Sequence, residues 1–95
     1  MNGNNKMTSF NYTIKNINNI HARPLSDLAK IAKDSKCCVI IIDSKQNKKD
    51  VKKIIGIMQL NLKIGDEVTV SIEGNDKILE DKAKENIFNF FKTNF

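Results

Sequence analysis

Over residues 9–15 the apolar Phe10, Tyr12 and Ile14 alternate with Ser9, Asn11, Thr13 and Lys15, the period-two pattern of a strand with one buried face. A polar loop bearing asparagines follows over residues 17–20. The period then lengthens: Leu25, Leu28, Ala29 and Ala32 recur at helical spacing while Ser26, Asp27, Lys30 and Lys33 take the opposite side, predicting a helix over 22–34. The uninterrupted apolar run 37–42 reads as a second strand covered on one or both faces. A polar turn over 43–48 leads to a short basic return around 49–51, whose lysines suit a sheet edge.

Residues 53–60 carry Ile54, Ile55, Ile57, Met58 and Leu60 within about two helical turns, more apolar surface than one buried face needs, so something else must cover the surplus. Gly65 and Asp66 make the next turn. Val68, Val70 and Ile72 alternate inward along a strand over 67–73, and Gly74, Asn75 and Asp76 turn and cap a last helix. That helix aligns Leu79, Ala83, Ile87, Phe90 and Phe91 against Lys82, Lys84, Glu85 and Asn89; the helical spacing of its phenylalanines marks them as core. The order βαββαβα, two split βαβ halves, predicts an α+β fold: an open-faced sandwich with a four-stranded antiparallel sheet and three helices on one face.

Ninety-five residues suffice for one core and one site, taken as a single domain over 7–95 with residues 1–6 a disordered extension or an upstream start. The net charge of +5, carried almost wholly by lysine and without a block of five like charges, reads as a solvated basic surface favouring acidic partners. Adjacent Cys37 and Cys38 suit a disulfide poorly and point to a reducing, cytoplasmic setting; in a strand they face opposite ways and make no zinc site. The apolar run 37–42 is far too short to span a bilayer.

The sole histidine, arginine and proline of the chain stand together as His21-Ala22-Arg23-Pro24, where strand pattern yields to helix pattern. A first-turn proline marks the helix start, and so sets an imidazole and a guanidinium at its positive end, a place suited to an anion. A neutral imidazole is a good nucleophile toward phosphorus. A phosphoryl group attached there would meet the free amides of Ala22 and Arg23 and the Arg23 fork. No Gly-rich phosphate loop, catalytic base or magnesium ligand accompanies it, so such a site could carry phosphate but not make it. The chemistry alone leaves a second reading open, in which His21 is a simple cap and Arg23 a surface charge.

His21-Ala22-Arg23-Pro24 with Ile20, the segment 52–58 (Lys-Lys-Ile-Ile-Gly-Ile-Met) and the segment from Gly65-Asp66-Glu67-Val68 through Gly74 together resemble HPr, the histidine-containing phosphocarrier family of the bacterial sugar phosphotransferase system. The likeness runs over residues 7–91. It implies that His21 takes a phosphoryl group on Nδ1 from phosphorylated enzyme I, charged in turn by phosphoenolpyruvate, and passes it to the A component of a sugar permease. The protein would then be a cofactor-free, metal-free monomeric carrier rather than an enzyme. Arg23 would clamp the phosphate. Asn18 would orient the ring, unless it serves only to form the turn. Ile54, Ile55 and Met58 would form an exposed docking patch bordered by Ile20, Lys30 and Lys33, with Ile57 and Leu60 facing the core.

Three departures from the family pattern stand out. Lys53 occupies the position of a regulatory serine, so kinase control and the corepressor role that depends on it are expected to be absent. Asn19 replaces a glycine, which asparagine tolerates through its access to positive φ. The 43–48 turn lacks an Asn-Gly hairpin and is one residue longer. A regulatory paralogue, phosphorylated in the same way but acting on control proteins, is the alternative. A nucleic-acid module fits poorly, because the 67–73 strand lacks an aromatic platform and there is no GXXG loop.

Overall fold

The computed structural model describes residues 7–16 and 20–95. Its elements are β1 (Met7–Thr13), α1 (Ala22–Ser35), β2 (Cys38–Ile42), β3 (Lys48–Asp50), α2 (Ile54–Gln59), β4 (Glu67–Glu73) and α3 (Lys77–Asn94), the order read from the periods. The sheet is antiparallel throughout in the order β1-β4-β2-β3, which leaves β3 at one edge as its lysines predict. Register follows from burial. Opposing Tyr12 to Val68, Ile41 to Val70 and Val39 to Ile72 aligns every inward position on one face, and a one-residue slip would expose the whole set.

The helices cover that face. Leu25, Leu28 and Ala32 of α1 and Ala83, Ile87 and Phe91 of α3 complete the core with Ile57 of α2. Phe10 and Tyr12 meet Phe88 and Phe91 edge to face at ring separations of 5.0–6.5 Å, so β1 and α3 are joined by a four-ring cluster. Phe95 extends it, its ring 5.0 Å from that of Phe91.

Four details differ from the periodic reading. α1 runs one residue further, to Ser35, whose hydroxyl donates to the Ala32 carbonyl and accepts the Cys37 amide. Lys36 then closes the helix at φ 61°. The 43–48 turn needs no Asn-Gly pair because the largely buried Asp43 carboxylate accepts the amides of Lys45 (2.9 Å) and Asn47 (2.8 Å) and the Asn47 side-chain amide (3.0 Å). Those bonds, the Asn47 side chain first, hold the Asp43 carboxyl below the usual aspartate range.

The third is Glu80, a charged residue left out of the apolar stripe although its spacing from Ala83, Ile87 and Phe91 sets it on that face, and it is 0% exposed. Its Oε2 accepts the Gly74 amide at 3.0 Å while Oε1 has no partner, so a carboxylate seals the β4–α3 turn beside the Cys37 sulfur. Burial pushes the Cys37 thiol up, against the Ser35 hydrogen bond and with the aid of Glu80 and Asp76. The fourth is Lys84, placed outside by the wheel and half-buried in the fold. Cys37 is buried and Cys38 exposed, on opposite sides as their adjacency implies. No helix among the described residues is long and apolar enough to cross a membrane.

Candidate functional site

His21 is the N-cap of α1, in extended conformation (φ −146°, ψ 178°), and its carbonyl accepts the Leu25 amide at 3.2 Å, the first bond of the helix. Its side chain makes no capping bond and is exposed, as are Ala22 and Arg23. The simple-cap reading therefore fails, since an N-cap side chain earns that description by accepting a first-turn amide.

Proline removes one of the two usual partners. An N-cap side chain ordinarily accepts from the second or third helical residue, and here the third is Pro24, which has no N–H. The ring costs the helix nothing at that position, because intrahelical donation begins at Leu25. The amides of Ala22 and Arg23 have no acceptor among the described residues, and the first turn carries no acidic side chain. Two main-chain donors and the positive end of the helix dipole thus accompany an exposed imidazole, with the exposed Arg23 two residues along the chain, an arrangement that favours a dianionic group on that ring.

The neighbours sort into three groups. Ile55 is 72% exposed and Met58 44%, on the helix that packs against α1. Ile54, expected in the exposed patch, is half-buried instead, and Ile20 likewise packs against the core, so both reach the surface only in part. The reason is that α2 is wedged between α1 and β3, and only the face carrying Ile55, Met58 and Gln59 is exposed. Ile57 is buried and Leu60 half-buried, as expected of core-facing positions. Lys30 and Lys33 are exposed on α1. Asn18 lies outside the described residues.

No group of three or more His, Cys, Asp or Glu side chains that could hold a metal occurs among the described residues. A groove of about 600 Å³ between α1 and α3, floored by Ile31, Leu79, Ala83 and Phe90, includes none of the residues just named. The imidazole stands on an open surface. That suits exchange with another protein more than capture of a small molecule.

Comparisons with known proteins agree with this geometry. The family model described as the PTS HPr component phosphorylation site matches residues 8–93. The Phosphocarrier protein HPr of Mycoplasma capricolum subsp. capricolum is 39% identical over 71 residues, 74% of this chain and 78% of that one. A Multiphosphoryl transfer protein of Xanthomonas campestris pv. campestris is 34% identical over 67 residues, 70% of this chain but 8% of that much longer protein. A solved mycoplasma histidine-containing phosphocarrier protein superposes with a TM-score of 0.75 at 31% identity, over 87% of this chain and 90% of that one.

Proposed function

The chain belongs to the HPr phosphocarrier family of the phosphotransferase system, and from that premise we propose that His21 carries the phosphoryl group, taking it from phosphorylated enzyme I and giving it to permease A components. The reading rests on one observation above all: an exposed imidazole occupies a helix N-cap whose first two amides have no acceptor among the described residues. In the transfer the Nδ1 lone pair forms a bond to phosphorus as the bond from phosphorus to the donor breaks. The reverse exchange, with the permease component as acceptor, returns the ring to its neutral form.

The amides of Ala22 and Arg23 and the Arg23 fork bind the phosphoryl oxygens, so the carried state is stabilised where it forms. Asn18 contributes to ring orientation. Ile55 and Met58, with the exposed parts of Ile20 and Ile54, form the apolar contact for protein partners, and Lys30 and Lys33 steer acidic surfaces toward it. The protein works as an unmodified monomer in the cytoplasm between turns of the relay.

Incubation with phosphoenolpyruvate and enzyme I should add one phosphoryl group, acid-labile and base-stable, mapped to His21 by mass spectrometry. An unchanged intact mass under these conditions refutes the proposal. Arg23→Lys should slow transfer by about tenfold or more, because a point charge replaces a bidentate fork while the helix amides remain; equal rates would remove Arg23 from the clamp. A reconstituted relay that phosphorylates sugar separates the carrier from a regulatory paralogue, and Lys53 in the place of the regulatory serine favours the carrier.

A further inference from the structure

The lysines are dispersed along most of the chain but crowd one stretch of it. Lys45, Lys48, Lys49, Lys52 and Lys53 fall within nine residues that contain a single acid, Asp50. The Asp50 carboxylate is engaged by the Lys52 amide at 2.8 Å. None of the five ammonium groups has an ion-pair partner among the described residues, where the recorded salt bridge is Lys77–Asp81 on α3.

Lys49 and Lys53 also converge in space, around Gly56. Lys48 opposes the half-buried Ile42 and so lies toward the open face of the sheet, whereas Lys49 opposes the buried Ile41 and lies toward the helices. The Lys49 stem runs along Gly56 of α2, where a β-carbon would come within 3.3 Å of its Cδ and 3.7 Å of Lys53 Cβ. β3 and the start of α2 therefore form one basic rim, from which Ile55 projects.

Edge protection accounts for Lys48 and Lys49. It does not account for Lys52 and Lys53, which pair with no strand, nor for a bare isoleucine next to them. We infer that this rim binds the surface of an anionic phospholipid bilayer, with Ile55 entering the headgroup boundary and the lysines lying over the lipid phosphates.

The choice of a bilayer follows from the chemistry of the rim. It holds flexible point charges and no arginine or aromatic side chain, so it lacks the planar forks and stacking faces with which nucleic acids are held. Four or more lysines beside an apolar tip match a broad negative surface, on which each contributes additively. Because Ile55 also belongs to the contact offered to protein partners, bilayer binding and partner binding compete.

The test is sedimentation of the unphosphorylated protein with phosphatidylcholine vesicles, with and without phosphatidylglycerol, at low salt and again at about 0.15 M, where charges are screened beyond roughly 8 Å. Binding is expected only to the anionic vesicles, weakening as salt rises. Lys→Gln changes keep the stems and remove the charge; each of Lys48, Lys49, Lys52 and Lys53 so changed should lower the partition coefficient by about fivefold. Ile55→Ser should lower it further without altering the salt slope. Lys63→Gln with Lys82→Gln, two exposed lysines off the rim, is the control and should change little.

No sedimentation with anionic vesicles, equal binding to neutral ones, or equal losses from rim and control variants would each overturn the inference. So would retention of RNA or an acidic protein without vesicle binding. Enzyme I is absent from the assay, so its outcome is independent of the phosphocarrier reading.

Discussion

The N-termini of α1 and α3 face the same physical problem and resolve it in opposite ways. At α3 the Asp76 side chain accepts the amide of Leu79, the third helical residue, at 2.8 Å, and Glu80 is buried to take the Gly74 amide. At α1 the third residue is Pro24, the N-cap side chain makes no capping bond, and two amides have no acceptor among the described residues. One end is closed to stabilise the fold. The other offers two donors with no acceptor among the described residues, and donors held ready by a helix are what an anion on a neighbouring ring can use.

The sharpest way to break this contrast is to close the open end. His21→Asp supplies an N-cap acceptor that can reach the Arg23 amide and places a negative charge at the dipole's positive end. It should abolish phosphoryl transfer while raising stability by about 0.5–1 kcal/mol in urea unfolding. A loss of stability instead would show that the imidazole already supports the helix.

Opening the closed end should do the reverse. Glu80→Ala leaves the Gly74 amide without its acceptor and a void at a site with no solvent access, for a loss of about 2–4 kcal/mol. Asp76→Ala removes only the cap and should cost about 1 kcal/mol. Both proteins should still accept phosphate on His21 at close to the parent rate below their unfolding transitions. A transfer defect exceeding the unfolded fraction would mean that the two ends are coupled.

The smallest effect concerns a third carboxylate on main-chain amides, Asp43. Its folded pKa lies below the unfolded value, so the stability it lends is complete above the ordinary aspartate range and disappears as pH falls through the folded pKa. Asp43→Asn should lower stability in the neutral region, converge on the parent in acid, and so flatten that acid limb of the stability curve. An unaltered acid limb would show that amides at this turn do not favour the anion, and would weaken the same argument at α1.

Much of this was legible along the chain. The strand at 67–73, the capping turn at Gly74–Asp76 and the edge position of β3 agree with alternation, turn chemistry and lysine content, which are local properties. The cluster His21-Ala22-Arg23-Pro24 marked the candidate site, because a proline in the first turn ties those side chains to a helix start. The family resemblance at Ile54 and the charge of Glu80 were misleading, because burial there depends on a distant partner. Ile54 is half-covered because α2 is caught between α1 and β3, and Glu80 is enclosed because the end of β4 and the residue before β2 meet above it.

Periods of 2 and 3.6 residues assign each side chain to a face of its own element, and a helix start can be recognised from a few neighbours, so element order, sheet face and the chemical character of the α1 terminus were already settled by the order of amino acids. Which faces meet, and therefore which carboxylate loses its water and which isoleucine keeps it, was decided by packing between segments far apart in the chain. That information lies in pairs of residues, and no single stretch contains it.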